Sequence, residues 1–178
     1  MAHGREVAVS EYRNLRIDMP RTAGTDSITE RCSELFSSGM YCAESVLQAV
    51  AEAHGQLDPL IPKIATGFCG GISRTSGMCG ALAGGIMALG LLTGRSSPQE
   101  SKDQCYALSH RLVCLFRKKF GSTQCTDLLG CDISTAYRTQ RFRARDLATK
   151  ICAPVTRQAA GLVEEIFALR DTIRHPLL

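Results

Sequence analysis

From about residue 27 onward the apolar positions recur at three- and four-residue spacing, a pattern that predicts a succession of amphipathic helices. The first opens on Ser27-Ile28-Thr29-Glu30, a capping box, carries Cys32, Leu35 and Phe36 on one face, and stops at Gly39. Cys42 to Val50 continues as a second helix with Val46, Leu47 and Val50 on its apolar side, ending at His54-Gly55. Leu60 to Thr66 reads as a short helix with Pro62 in its first turn, broken by Gly67-Phe68-Cys69-Gly70-Gly71, with a loop running to Gly77. The run from Cys79 to Leu92 is apolar on every side and contains Gly80, Gly84, Gly85 and Gly90. Each glycine inside a helix costs about 1 kcal/mol relative to alanine, a cost that makes sense if other elements approach this backbone closely. It is therefore expected to be the central helix.

Ser97-Pro98-Gln99-Glu100 is a second capping box with proline at the first helical position, and the helix it predicts runs to Phe120, closing on Arg117, Lys118, Lys119 and Gly121. Cys125 to Leu129 reads as a single turn stopped by Gly130, and Ser134 to about Lys150 as a basic, weakly amphipathic helix. Pro154 starts a last helix, with Cys152 just outside it and Val155, Leu162, Val163, Ile166 and Phe167 on its apolar stripe. The expected fold is all-α, a single-domain helical bundle around the glycine-rich helix and spanning residues 26–178. Residues 1–25 are polar, charged and poorly periodic, and read as an arm or extension.

A chain of 178 residues is long enough to bury most of the surface it exposes when unfolded, so its fold needs no disulfide framework. The nine cysteines are an odd number, and the N-terminus is not followed by the apolar run of a signal peptide. Both observations point to a cytoplasmic protein with mostly reduced thiols. The apolar stretch from Met78 to Thr93 falls short of the roughly 20 residues a membrane span needs. The net charge of +4 is modest, and its late basic cluster of Arg138, Arg141, Arg143, Arg145 and Lys150 reads as a solvated helix face rather than a nucleic-acid surface. The four histidines, His3, His54, His110 and His175, suggest no shared site.

The cysteines carry the chemistry. Cys42, Cys79, Cys125 and Cys152 each lie where a helix is expected to begin, and a helix start offers unpaired N–H groups and the positive end of the dipole. That environment stabilises a thiolate and lowers the thiol pKa from about 8.5 by one or more units. Cys69 and Cys131 sit in or beside glycine-containing loops and are second-tier candidates, whereas Cys32, Cys105 and Cys114 fall on amphipathic helices as core residues. The chain lacks C-x-x-C, which argues against a zinc ribbon or a thioredoxin-type dithiol, and it also lacks H-E-x-x-H, a Walker A loop and a Rossmann fingerprint. Dispersed helix starts can still converge at one end of a bundle, where they would hold a soft metal or pair as reversible disulfides.

Cys42, then Cys79-Gly80-Ala81-x-x-Gly84, then two further cysteines resembles the redox-active proteins of the C_GCAxxG_C_C family, with Gly70-Gly71 before the central motif and Met87-Ala88-Leu89-Gly90-Leu91 after it. The resemblance runs from about Ser27 to the end of the last helix. It implies that Cys42, Cys79, Cys125 and Cys152 are the family's thiols, with Gly80, Ala81 and Gly84 lining the site, and it extends to domains of split-Soret-type cytochromes. Three functions remain open. The first is an iron–sulfur or other soft metal centre on those four cysteines, making the protein an oxidoreductase, electron carrier or sensor that serves a redox partner protein. The second is a metal-free thiol–disulfide protein, and the third a helical interaction module, homodimeric, with incidental cysteines. A cluster using Cys69 or Cys131 stays open under the first two.

Overall fold

The computed structural model describes residues 23–173. Along the chain run α1 (Ala23–Ser37), α2 (Cys42–Ala53), a 3-10 helix (Lys63–Phe68), α3 (Cys69–Ile72), α4 (Gly80–Thr93), α5 (Asp103–Phe120), α6 (Cys125–Leu129), α7 (Ala136–Ala144), a π-helical turn (Ala148–Cys152) and α8 (Ala153–Ala168). The fold is all-α, and among the described residues the only β-type pairing is one isolated bridge between Met78 and Gln124.

Helix α4 is enclosed by α2, α5 and α8, as its apolar surface requires. Its glycines set how closely they approach: a β-carbon on Gly84 would stand 2.5 Å from the carbonyl oxygen of Ala43, and one on Gly85 would stand 2.9 Å from both Leu112 Cδ2 and Val163 Cγ2. Val46, Leu47 and Val50 of α2, Leu108, Leu112 and Phe116 of α5, and Val163 and Ile166 of α8 fill the space around it, all buried. Helix α1 packs on α2 and α8. Arg31 binds Glu52 at 2.6 Å, joining α1 to α2, and His54 binds Glu164 at 2.8 Å, joining the end of α2 to α8. His54 thus has a partner that its sequence position near a helix end did not reveal. No helix among the described residues is long and apolar enough to cross a membrane.

Several element boundaries differ from expectation, each for a physical reason. Helix α1 is already formed at Ala23, the first described residue, rather than opening at Ser27, and Thr25 and Ile28 bury against α8, where Gly161 leaves room for the methyls of Thr25 and Thr29. The Thr29 hydroxyl donates to the Asp26 carbonyl at 2.9 Å instead of serving a cap. The Ser97 box closes on itself as an exposed turn, Glu100 accepting from the Ser96 N–H at 2.8 Å, and α5 begins only at Asp103. Residues 98–102 are all exposed, so no packing there holds a helix down. The short helix after Pro62 is a 3-10 segment displaced to Lys63–Phe68. The basic helix is broken in two: α7 has no buried residue and ends at Ala144, Asp146 turns left-handed at φ 51°, and buried Leu147 anchors the π turn that follows.

The expected arm is partly outside the described residues, as are His3 and His175; its last three residues, 23–25, belong to α1. Cys32 is fully buried and its thiol donates to the Thr156 carbonyl at 3.6 Å, as a core cysteine should. Cys105 and Cys114, expected in the core, are only half-buried on α5, at the margin of the face carrying Leu108, Leu112 and Leu115.

Candidate redox site

Two chain crossings gather cysteines at one end of the bundle. In the first, the Cys79 N–H donates to the Thr123 carbonyl at 2.8 Å and the Cys125 N–H to the Gly77 carbonyl at 2.9 Å, flanking the bridge between Met78 and Gln124. Side chains alternate along extended backbone, so Cys79 and Cys125 leave this short ladder on the same face as diagonal neighbours, a register with Cα atoms about 7–8 Å apart. Gly71 backs onto that face with φ 70°; a β-carbon there would stand 2.5 Å from Cys125 Cβ and 3.2 Å from its sulfur. Cys131, just beyond α6, and Cys152, at the end of the π turn, pack on the small apolar cluster of Cys125, Leu129, Ile133 and Leu147.

In the second crossing, Cys42 in the first turn of α2 meets Cys69 at the start of α3. The Ala43 and Glu44 N–H groups at the start of α2 turn toward the sulfur of Cys69, which itself donates to the Ala65 carbonyl at 3.7 Å. Gly80 lies between the two cysteines: a β-carbon there would collide with Cys42 Sγ and stand 3.3 Å from Cys69 Cα. Buried Glu44 ties the two segments together, accepting from the Tyr41 N–H at 2.7 Å and from the Thr66 hydroxyl at 2.7 Å. Between the crossings, Ile72, Ser73, Arg74 and Ser76 all adopt positive φ, from 52° to 67°. Each such residue stores about 1–3 kcal/mol of strain, held here by hydrogen bonds such as Ser76 Oγ to Asp132 Oδ1 at 3.0 Å.

Burial, rather than the helix start, sets the charge state of these thiols. The N–H groups of Ala81 and Leu82 do lower the Cys79 thiol pKa, but burial raises it further and the net shift is upward. Burial pushes Cys125 and Cys152 up to about 12, with neighbouring cysteines adding to the rise. Cys69 is raised first by its hydrogen bond to Cys42 and then by burial. Cys152 is not at an open helix start at all, because the π turn runs into α8 and the Ala153 N–H bonds to Ala148. The expectation of depressed thiol pKa values is therefore corrected for Cys79, Cys125 and Cys152: in this fold desolvation outweighs the dipole.

Residues 40–166 match the family model described as "Putative redox-active protein (C_GCAxxG_C_C)". The chain belongs to this family. A protein of Archaeoglobus fulgidus described as an uncharacterized protein is 35% identical over 107 residues, covering 55% of this chain and 71% of its own length. No solved structure matches the chain significantly.

For this C_GCAxxG_C_C protein the four expected thiols, Cys42, Cys79, Cys125 and Cys152, do lie at one end of the bundle, but not as one set. Cys42 pairs with Cys69, and Cys79, Cys125 and Cys152 associate with Cys131. Among the described residues no three Cys, His, Asp or Glu side chains converge on a point that could hold a metal ion, so the residues as arranged do not fit a metal centre. Gly80, Ala81 and Gly84, expected to line a cofactor, are buried against protein, with Gly80 on Cys42 and Gly84 on the Ala43 backbone. Sequence reasoning had Cys69 in the second tier and passed over Glu44 and Gly71 as site residues. The signals were faint: a glutamate three residues after Tyr41, and a Gly-Gly pair directly after Cys69.

Proposed function

We propose that this protein moves electrons by reversible dithiol–disulfide chemistry at the cysteine-rich end of its bundle. The observation that carries the reading is the gathering of six thiols there: Cys79 and Cys125 flank one chain crossing, Cys131 and Cys152 pack beside Cys125, and Cys42 and Cys69 meet beside Gly80. Two neighbouring thiols give one disulfide, two protons and two electrons, and a redox partner protein takes up or supplies the electrons. A cytoplasmic setting, where thiols are kept reduced, suits this cycle. The diagonal register of Cys79 and Cys125, at about 7–8 Å, lies just beyond the roughly 4.4–6.8 Å that a disulfide spans between Cα atoms. Oxidation of that pair therefore shifts one of the two bridged segments.

Mass mapping after equilibration in thiol–disulfide buffers tests the reading. Disulfides are expected within the set Cys79, Cys125, Cys131 and Cys152 at a defined potential, while Cys32, Cys105 and Cys114 stay reduced. Indiscriminate oxidation of all nine cysteines would favour a helical interaction module instead. An iron–sulfur or other soft metal centre on Cys42, Cys79, Cys125 and Cys152 is the other reading that the sequence raises. Anaerobic purification with metal analysis separates the two: metal-free protein is expected, and stoichiometric iron that disappears in Cys79→Ser would overturn the dithiol reading.

A further inference from the structure

An unusual surface surrounds the Cys42–Cys69 pair. Tyr41, directly before Cys42, is 60% exposed, and Phe68, directly before Cys69, is 40% exposed. Ile64 and Leu60 precede Phe68 by four and eight residues and are 51% and 61% exposed. The Ile64 N–H bonds to the Leu60 carbonyl at 3.0 Å, so the segment that leads to Phe68 and Cys69 is folded into successive turns with all three apolar side chains exposed. Single exposed apolar residues need no explanation, but four large ones on the two segments that bring Cys42 and Cys69 together mark a contact surface. Charge on this stretch is balanced, with Asp58 opposing Lys63, so a small anionic disulfide finds no cationic grip there. Apolar side chains flanking a disulfide in a protein would find cover.

We propose that Cys42 and Cys69 form a surface dithiol that exchanges with a disulfide carried on a protein segment, and that Tyr41, Leu60, Ile64 and Phe68 seat the apolar residues beside that disulfide. This rests on the dithiol reading above and supplies its partner class. Cys42, in the first turn of α2, is the attacking sulfur, since Cys69 keeps its proton on the Ala65 carbonyl at 3.7 Å. The Cys42 thiolate bonds to one sulfur of the partner disulfide, whose S–S bond breaks; the second partner sulfur departs and takes up the proton Cys42 released. Cys69 then gives up its proton and attacks Cys42 Sγ. The mixed disulfide breaks, and the first partner sulfur leaves as a thiol. Two electrons and two protons have passed to the partner, leaving a Cys42–Cys69 disulfide. The Ala43 and Glu44 N–H groups face the Cys69 sulfur as it becomes anionic.

The test uses the reduced full-length protein and two synthetic disulfide peptides, one with leucine and phenylalanine flanking the cystine and one with serine in their place, followed by mass spectrometry in a single turnover. Cys69→Ser is expected to trap either peptide on Cys42. The wild type is expected to react about tenfold faster with the apolar peptide, and Leu60→Ser/Ile64→Ser, exposed changes checked by circular dichroism, to abolish that preference while leaving the serine-flanked rate unchanged. Equal wild-type rates with the two peptides would overturn the docking surface, as would sedimentation showing a wild-type dimer that the double variant dissolves. Exchange at other cysteines with Cys42 untouched would overturn the pair but leave the dithiol reading standing. No exchange at any cysteine would remove both.

Discussion

Gly84→Ala is expected to destabilise the fold by about 2 kcal/mol net, lowering Tm by roughly 4–8 °C. Its new methyl would stand 2.5 Å from Ala43 O, 2.9 Å from Ala43 Cα and 3.1 Å from Ala43 C, all backbone atoms in the first turn of α2. No rotamer change relieves such a contact, so α2 must move away from α4 and carry Cys42 with it. Opposing this, alanine gains about 1 kcal/mol over glycine in a helix interior, which is too little to offset overpacking against backbone. Gly90→Ala isolates that gain: nothing lies within 4 Å of its β-carbon position, and the variant is expected to be about 0.5–1 kcal/mol more stable than wild type. The same substitution in one helix thus has opposite signs at two positions. Denaturant unfolding followed by circular dichroism measures both, and a Gly84→Ala protein as stable as wild type would mean that α2 and α4 do not meet as described.

Stability is expected to fall steeply above pH 9 under reducing conditions. In the unfolded chain a thiol ionises near 8.5, whereas burial holds Cys32, Cys125 and Cys152 protonated up to about 12. Because the folded pKa lies above the unfolded one, the contribution is fully present below about 8.5 and is lost as pH rises toward 12. Between those limits unfolding releases a proton from each such thiol, and stability declines by about 1.4 kcal/mol per pH unit for each fully buried group. Cys32 is the cleanest case, since it is completely enclosed and burial alone raises it. Cys32→Ala lowers stability at pH 7 through the small cavity it leaves, and is expected to flatten the alkaline slope by about one thiol's share. Urea midpoints at pH 7, 9 and 10.5 for wild type and variant read this out. A slope unchanged by the substitution would show that Cys32 is not shielded from water.

The elements that could be read from sequence were those whose signals are local. Gly39, Gly121 and Gly130 stop their helices where expected, Cys42 opens α2, and Pro154 sits in the first turn of α8. Each works through a backbone conformation that one residue favours or forbids, with no neighbour needed. The misplaced boundaries are those where tertiary burial overruled a local cap: α1 runs through Ser27 with Thr25 already enclosed, and α5 starts late because nothing covers residues 98–102. Family membership was legible from the Cys79-Gly80-Ala81-x-x-Gly84 motif, a contiguous pattern.

The candidate site divides the same way. Sequence alone determined that a small-residue helix lies at the centre, that cysteines cluster near helix starts, and that no short cysteine pair offers two ligands from one turn. These are properties of spacing and composition. Only the tertiary structure decided that Cys69 rather than Cys79 is the neighbour of Cys42, that Cys131 joins Cys79, Cys125 and Cys152, and that Gly80 and Gly84 make room for protein rather than for a cofactor. It also reversed the direction of the thiol shifts, because a helix start can be read from a few residues, whereas desolvation depends on everything that covers the sulfur.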